Sequence, residues 1–391
     1  MEPRILVLDG NQRASLAAVR SLGSRGLWVA VGEAAPESLA GCSRYCHQRV
    51  TYSNPFLSPR LFFDDILHQV ESLGISFLLP ITEATTYVLL RYRDELPDHI
   101  VLPFSTTEAV EQLANKNDLF QLAQEKNIPV PDTVFCNDAE EGLRALNDLE
   151  RFPVVLKPYK SKVLTEGGIE STQVIVANTR QEARTAITSN GFFRFPFSIQ
   201  SFINGTGQGV FALFDHGDPV CYFAHRRLRE KPPGGGVSVL CESAPINEQL
   251  RVSAETLLRS AKWHGVAMVE FRVAEDGTGY LMEVNPRFWG SLQLAIDSGI
   301  DFPWLLYLVS TGQAVPQPVW EYRRVRWLLG DLDRLYLVLK APLSRYSLSW
   351  KLREIFNFVM PNLRTRHEVN RWKDLRPFWF ELKHYLRALK N

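Results

Sequence analysis

The runs AMVEFRV (267–273) and YLMEVNPR (280–287) decide the reading of this chain. Both are apolar and strand-like, and the stretch between them, Glu275-Asp276-Gly277-Thr278-Gly279, consists of turn formers. The pattern predicts a hairpin with Glu270 beside Glu283 on one face. Asn285 lies two residues beyond Glu283 and shares that face. A lone carboxylate inside an apolar strand is costly. Two carboxylates and an amide oxygen that converge form instead a hard, oxygen-rich site, the kind that takes Mg²⁺ together with nucleotide phosphates.

Upstream, the apolar run Val154-Val155-Leu156 ends at Lys157, and Lys116 stands at a helix start in LANKNDLFQLAQEKNIPVP. Between them and the hairpin lies KVLTEGGIEST (162–172), a loop with backbone N–H groups to offer to phosphate oxygens. Strand-like runs at 154–157, 173–176, 198–203, 210–214, 220–224, 266–273 and 279–284, with helices at 180–188 and 247–263, predict an α+β region with mostly antiparallel strands. Before residue 105, short apolar runs (4–9, 27–32, 76–81, 100–104) alternate with amphipathic stretches (14–24, 61–73, 85–96), the mark of parallel βαβ units. The turn Asp9-Gly10-Asn11 after the first strand lies where such sheets meet ligands, but it lacks a G-x-G-x-x-G pattern. A ligand contact and a plain connection stay open there.

The order of these elements resembles the ATP-grasp superfamily: Lys116, VVLKP around Lys157, a Gly-Gly loop, SIQSFING (198–205), VEF and then MEVNPR. It is similar in particular to the carboxylate–amine ligase branch. The resemblance implies an N-terminal open parallel α/β domain (1–105), an ATP-grasp unit of two α+β subdomains (106–314) and a helical basic C-terminal region (315–391). It implies ATP as cofactor, with Lys116 and Lys157 on its phosphates. Gly167, Gly168 and Ser171 belong to the loop that closes over them. Gln200, Phe202 and Ile203 lie in the hinge strand at the adenine, and Gln208 stands at a ribose position. Ser201 and Gln208 replace acidic residues common in relatives. Glu270, Glu283 and Asn285 would hold two Mg²⁺ ions, with Mn²⁺ as an alternative. Arg287 would face the γ-phosphate and an acyl phosphate, with Arg272 assisting.

Arg226, Arg227, Arg229 and Lys231 precede the loop Pro232-Pro233-Gly234-Gly235-Gly236. Simple alternation pairs Arg226 with Leu228 on one face and Arg227 with Arg229 on the other. Arg226 and Arg227 are the candidates for contact with a carboxylate substrate. Trp289 and Ser291 are candidates for the pocket wall, as are Ser43-Arg44-Tyr45 and Thr82-Glu83. Small-molecule carboxylate and amine substrates follow from the resemblance, and dimers are common among relatives. A bicarbonate-using carboxylase and a degenerate ATP-binding module are the alternative readings.

Composition narrows the classes further. Hydrophobic residues make up 45% and charged residues 22% of 391 residues, which suits a globular chain with a large core. A formal charge of +1 excludes a wholly basic nucleic-acid binder. Five Cys exclude a disulfide scaffold, and the Cys42/Cys46/His47 spacing reads as structural. Without a signal-like N-terminus or an apolar run of about 18 residues, a cytoplasmic location is expected. The near-zero charge is divided unevenly, however. Residues 315–391 carry 16 Lys+Arg against 7 Asp+Glu and five of the nine Trp. Three readings of this tail stay open: a third domain docked on the acidic body, a peripheral membrane surface, or a seat for an anionic, carrier-bound acceptor.

Overall fold

A computed structural model describes residues 3–165, 168–233, 236–360 and 364–388. The N-terminal region is an open parallel sheet in the order Gln48–Thr51, Trp28–Glu33, Arg4–Val7, Phe77–Leu79. The strand at Gln48–Thr51 escapes the sequence pattern because only Val50 of its four residues is buried. The strand expected at 100–104 reduces to one parallel bridge between Val101 and Phe77.

Asp9 closes this layer. It takes φ +58° and turns its carboxylate onto the amides of Ile81 and Thr82, at 3.0 and 2.8 Å, and the hydroxyl of Thr85, at 2.6 Å. A Cβ on Gly10 would lie 2.5 Å from the Ser38 hydroxyl. The Asp9-Gly10 turn is therefore a packed structural closure.

The middle of the chain forms two further sheets. A four-stranded one runs Thr133–Cys136, Phe197–Ser201, Val154–Pro158, Ile175–Ala177, covered by helices Ala139–Asp148 and Arg180–Ser189. A seven-stranded one runs Gly279–Asn285, Gly265–Ala274, Gly205–Asp215, Asp218–Lys231, Val237–Ser243, Arg324–Arg326, Thr365–His367. One core joins the N-terminal layer to this large sheet. In it Val7, Leu16, Phe77, Phe211, Phe223 and Leu292 are all buried. No helix is long and apolar enough to cross a membrane among the described residues.

The last two strands of the large sheet come from the tail. Arg324–Arg326 pairs antiparallel with Val237–Ser243, and Thr365–His367 pairs parallel with Arg324–Arg326. The tail thus completes the central sheet rather than forming a layer apart. Buried ion pairs fasten it. Asp374 takes Arg20 at 2.9 Å, and Asp297 takes Arg371 at 2.6 Å. Asp331, fully buried, takes Arg229 at 2.9 Å and Arg326 at 2.7 Å. Arg13 pairs with Glu368 and lies 4.0 Å over the Trp327 ring. Asp331–Arg326 lies within the tail; the other pairs join the tail to the rest of the chain, and in all of them but Asp297–Arg371 the tail supplies the acid. Trp372 and Trp379 nevertheless stay exposed.

Candidate active site

The hairpin forms as its spacing predicts. Glu270 pairs with Glu283 across strands Gly265–Ala274 and Gly279–Asn285, and Met268 pairs with Asn285. The Asn285 amide nitrogen donates to both carboxylates, at 3.2 Å each, while its oxygen accepts from Arg287 at 3.1 Å. The amide therefore sits as a donor between two acids, in the place a cation would take. A half-turn of the amide would present its oxygen there instead. Three hard oxygens of this kind fit Mg²⁺.

Two buried lysines face the pair. Lys116 opens the helix Lys116–Glu125, whose cap is the Asn115 side chain accepting from Asn117 at 3.0 Å. Lys157 lies one residue before the end of its strand, opposite Ser198. Each ammonium lies 3.8 Å from Glu283, and Lys157 also donates to the Met282 carbonyl at 2.6 Å. Burial pushes the Lys157 ammonium down to about 8, with Glu283 opposing. For Glu283, burial works upward, but the charges of Lys157 and Lys116 outweigh it and hold the carboxyl below its usual range. Glu270 moves the other way, raised by burial and by the neighbouring Glu283 charge. The two carboxyls thus divide into a firm anion and a reluctant one.

Other expected residues lie elsewhere. Arg226 is on the opposite face of the sheet, paired with Glu242, which also takes Tyr322 at 2.6 Å and Arg324 at 2.6 Å. Arg227 faces the site, 3.8 Å from Glu270. The alternation fails beyond it because the pairing register shifts at Leu228. Arg229 therefore comes round to the face of Arg226 and meets Asp331. Arg272 shares the face of Glu270 but bonds the Ile203 carbonyl at 3.1 Å and lies 5.7 Å from the Phe202 ring. It stands at the hinge end of the cleft, away from the carboxylates. Gln200 is buried and donates to Ser198 at 3.1 Å. Gln208 is opposite Phe271, so it shares the core face of the sheet and points away from Glu270.

The loop expected over the phosphates is a hairpin of Lys162–Thr165 and Gly168–Ser171. It rests on the N-terminal layer. Ile169 donates to the Phe56 carbonyl at 2.8 Å, and Gly168, at φ +131°, approaches that carbonyl so closely that a Cβ would be 2.1 Å away. Ser171 takes the Lys162 ammonium at 2.6 Å. Gly167 lies outside the described residues. Ser43 and the Arg44 amide bond Asp374 in the tail, and Thr82 bonds Asp9. Neither segment is brought to the carboxylate pair.

A cavity of about 270 Å³ adjoins the pair and includes Arg13, His225, Trp289 and Ser291 in its wall. His225 was legible only as the same-face partner of Arg227. It stacks on Phe211 at 4.7 Å, and its Nε2 is 3.0 Å from the Ser291 hydroxyl. Burial, helped by Arg227, pushes it down to about 3, so it is neutral at physiological pH. Arg13 carries no local signal in the sequence. The tail delivers it, through Glu368 and Trp327.

Two α+β layers meet here over a carboxylate pair, with lysines from one layer aimed at acids of the other. This is the ATP-grasp arrangement, and the chain has the ATP-grasp fold. Residues 200–329 match the family described as ATP-grasp in the biosynthetic pathway with Ter operon. A D-aspartate ligase of Enterococcus faecium is 22% identical over 214 residues, covering 51% of this chain and 50% of the ligase. The chain thus spans about half the length of that relative. Among solved structures, the fold is shared by an L-amino acid ligase from Bacillus licheniformis. Its TM-score is 0.59 at 18% identity, covering 80% of this chain and 75% of that one. It is also shared by the biotin carboxylase domain of the Hydrogenobacter thermophilus 2-oxoglutarate carboxylase, solved with MgADP and bicarbonate. There the TM-score is 0.62 at 12% identity, covering 82% and 73%.

Proposed function

We propose that the protein is an ATP-dependent ligase that activates a carboxylate as an acyl phosphate and joins it to an amine, releasing ADP and phosphate. The observation that carries this reading is the Glu270–Glu283 pair bridged by Asn285, with Lys116 and Lys157 each 3.8 Å from Glu283. The resemblance to D-aspartate and L-amino acid ligases supports C–N bond formation, and the carboxylases matched beside them are the reason for the bicarbonate arm below.

A carboxylate resists attack because its charge is delocalised. Transfer of the γ-phosphoryl to one of its oxygens creates a leaving group. The amine then adds to the carbonyl carbon, the C–O bond to phosphate breaks, and the amine proton passes to solvent. Glu270, Glu283 and Asn285 would hold Mg²⁺, which when bound neutralises phosphate charge. Lys116 and Lys157 draw the phosphates into the cleft as point charges. Arg227 and Arg287 flank the acids and stabilise charge that builds on the transferring group. Neutral His225 gives the adjoining cavity a hydrogen-bonding edge that does not repel an incoming ammonium.

The test is ADP release with pools of carboxylates and amino acids, beside a bicarbonate arm. Release that needs both a carboxylate and an amine, and that is lost in Glu283→Gln, is the expected result. Release with bicarbonate alone, or activity retained in Glu283→Gln, would overturn the reading.

A further inference from the structure

On the face of the large sheet opposite the carboxylate pair, a cavity of about 1000 Å³ lies between the strands and the tail helix Leu348–Val359. Five guanidinium groups line it: Arg229, Arg324, Arg326, Arg334 and Arg353. The acids within reach are Asp331, Glu242 and Glu354, paired with Arg229 and Arg326, with Arg324, and with Arg334 respectively. Glu242 is shared with Arg226 outside the cavity, so the five lining cations exceed the anionic charge by at least two.

Several buried polar atoms of the wall lack a partner. The Nε of Arg334, a residue only 7% exposed, has no hydrogen-bond partner among the described residues. Neither has the Nη2 of Arg326 or the Nδ1 of His367. Asp331 Oδ1 beside them is likewise without a partner, so it is the guanidinium groups of the wall that offer the cavity's donors to an acceptor. Guanidinium forks match the oxygens of a phosphate, and a phosphate dianion would balance the two excess charges.

The rest of the wall is partly apolar, with Leu228, Trp350, Phe358 and Met360 beside Asn357 and Thr365. From its mouth, Leu352, Phe356 and Val359 continue as an exposed apolar stripe along the same helix. The ligand that fits both features carries a phosphate head and a hydrocarbon body.

We infer that this cavity between the sheet and the tail is a second binding site, separate from the ATP cleft, for an amphiphilic phosphate. A soluble phosphorylated metabolite and a lipid headgroup share that chemistry. The test uses the full chain saturated with MgADP, so that the cleft is already filled. Calorimetric titration with hexyl phosphate is expected to give one site per chain, at least tenfold tighter than inorganic phosphate. Arg326→Met and Arg353→Glu should each weaken it tenfold or more. Arg353 is exposed, so its variant tests the site even if Arg326→Met fails to fold. Arg144→Ala, on the helix Ala139–Asp148 and paired with Glu140, should leave it unchanged. A parallel flotation with phosphatidic acid vesicles separates the sources. Vesicle binding that Arg353→Glu abolishes identifies a lipid headgroup. Titration without vesicle binding identifies a soluble ligand. No titration in the MgADP-saturated protein, or unchanged affinity in Arg353→Glu, overturns the proposal.

Discussion

The two faces of one sheet carry the same residue types in opposite states. On one face Glu270 and Glu283 stand beside Arg227, Arg287 and two lysines. The three ion pairs there are long, 3.8 Å each. On the other face Glu242 is locked by Arg226, Arg324 and Tyr322, and Asp331 by Arg229 and Arg326. Loose charges at a cleft are available to a ligand. Locked acids hold the tail strands to the sheet, while the surplus of arginines around them lines the cavity on that face. Residue type does not separate the two roles; the number and closeness of partners does.

The contrast breaks most visibly with Glu283→Gln. Activity is expected to fall by about 10³ or more, the scale for removing a group that stabilises transition-state charge. Its melting temperature should stay near that of the wild type. Glu242→Gln should do the reverse. Breaking a buried charge network costs about 3 kcal/mol or more, seen as a lower denaturation midpoint, while the folded fraction keeps its kcat. Glu242 is held down to about 2: burial opposes this, but Tyr322 and the arginines prevail. Its contribution is therefore present above the unfolded carboxyl pKa of about 4.3 and lost as pH falls toward 2. The Gln variant should lack that acid limb in a pH–stability titration.

A paired substitution sharpens the comparison further. Arg227→Ala should lower kcat/KM by about 10²-fold, whereas Arg226→Ala should change it less than about threefold. The smallest effect concerns Lys157. Its ammonium loses its proton as pH rises through about 8, so KM for ATP should climb about tenfold between pH 7 and 9. The sign for stability is opposite. The unfolded chain holds that proton up to about 10.4, so the apoprotein gains stability across this window. Lys157→Arg should flatten the KM limb.

The acid pair and Asn285 were legible because they rest on local rules, period-two alternation and a turn between strands, whereas Lys116 and Lys157 read alone as solvated charges and came to the site only through the resemblance. The arginine run was not. One displaced residue, Leu228, reverses every later side chain, and nothing in RRLREK announces a bulge. The tail misled for another reason. Its strands are three residues each and bury little by themselves, so pairing with Val237–Ser243 creates them. Arg13 belongs to the cavity only because Glu368, 355 residues away, holds it there. The Lys162–Ser171 hairpin was legible as a loop. Its seat on Phe56 depends on a contact between layers that spacing does not encode.

The central claim is that the carboxylate pair supports phosphoryl transfer to a carboxylate oxygen. Isotope transfer tests it most directly. With the acceptor carboxylate found by the ADP-release screen labelled with ¹⁸O, the account predicts one labelled oxygen in each phosphate released, and none from Glu283→Gln. Release of unlabelled phosphate during productive turnover would contradict it.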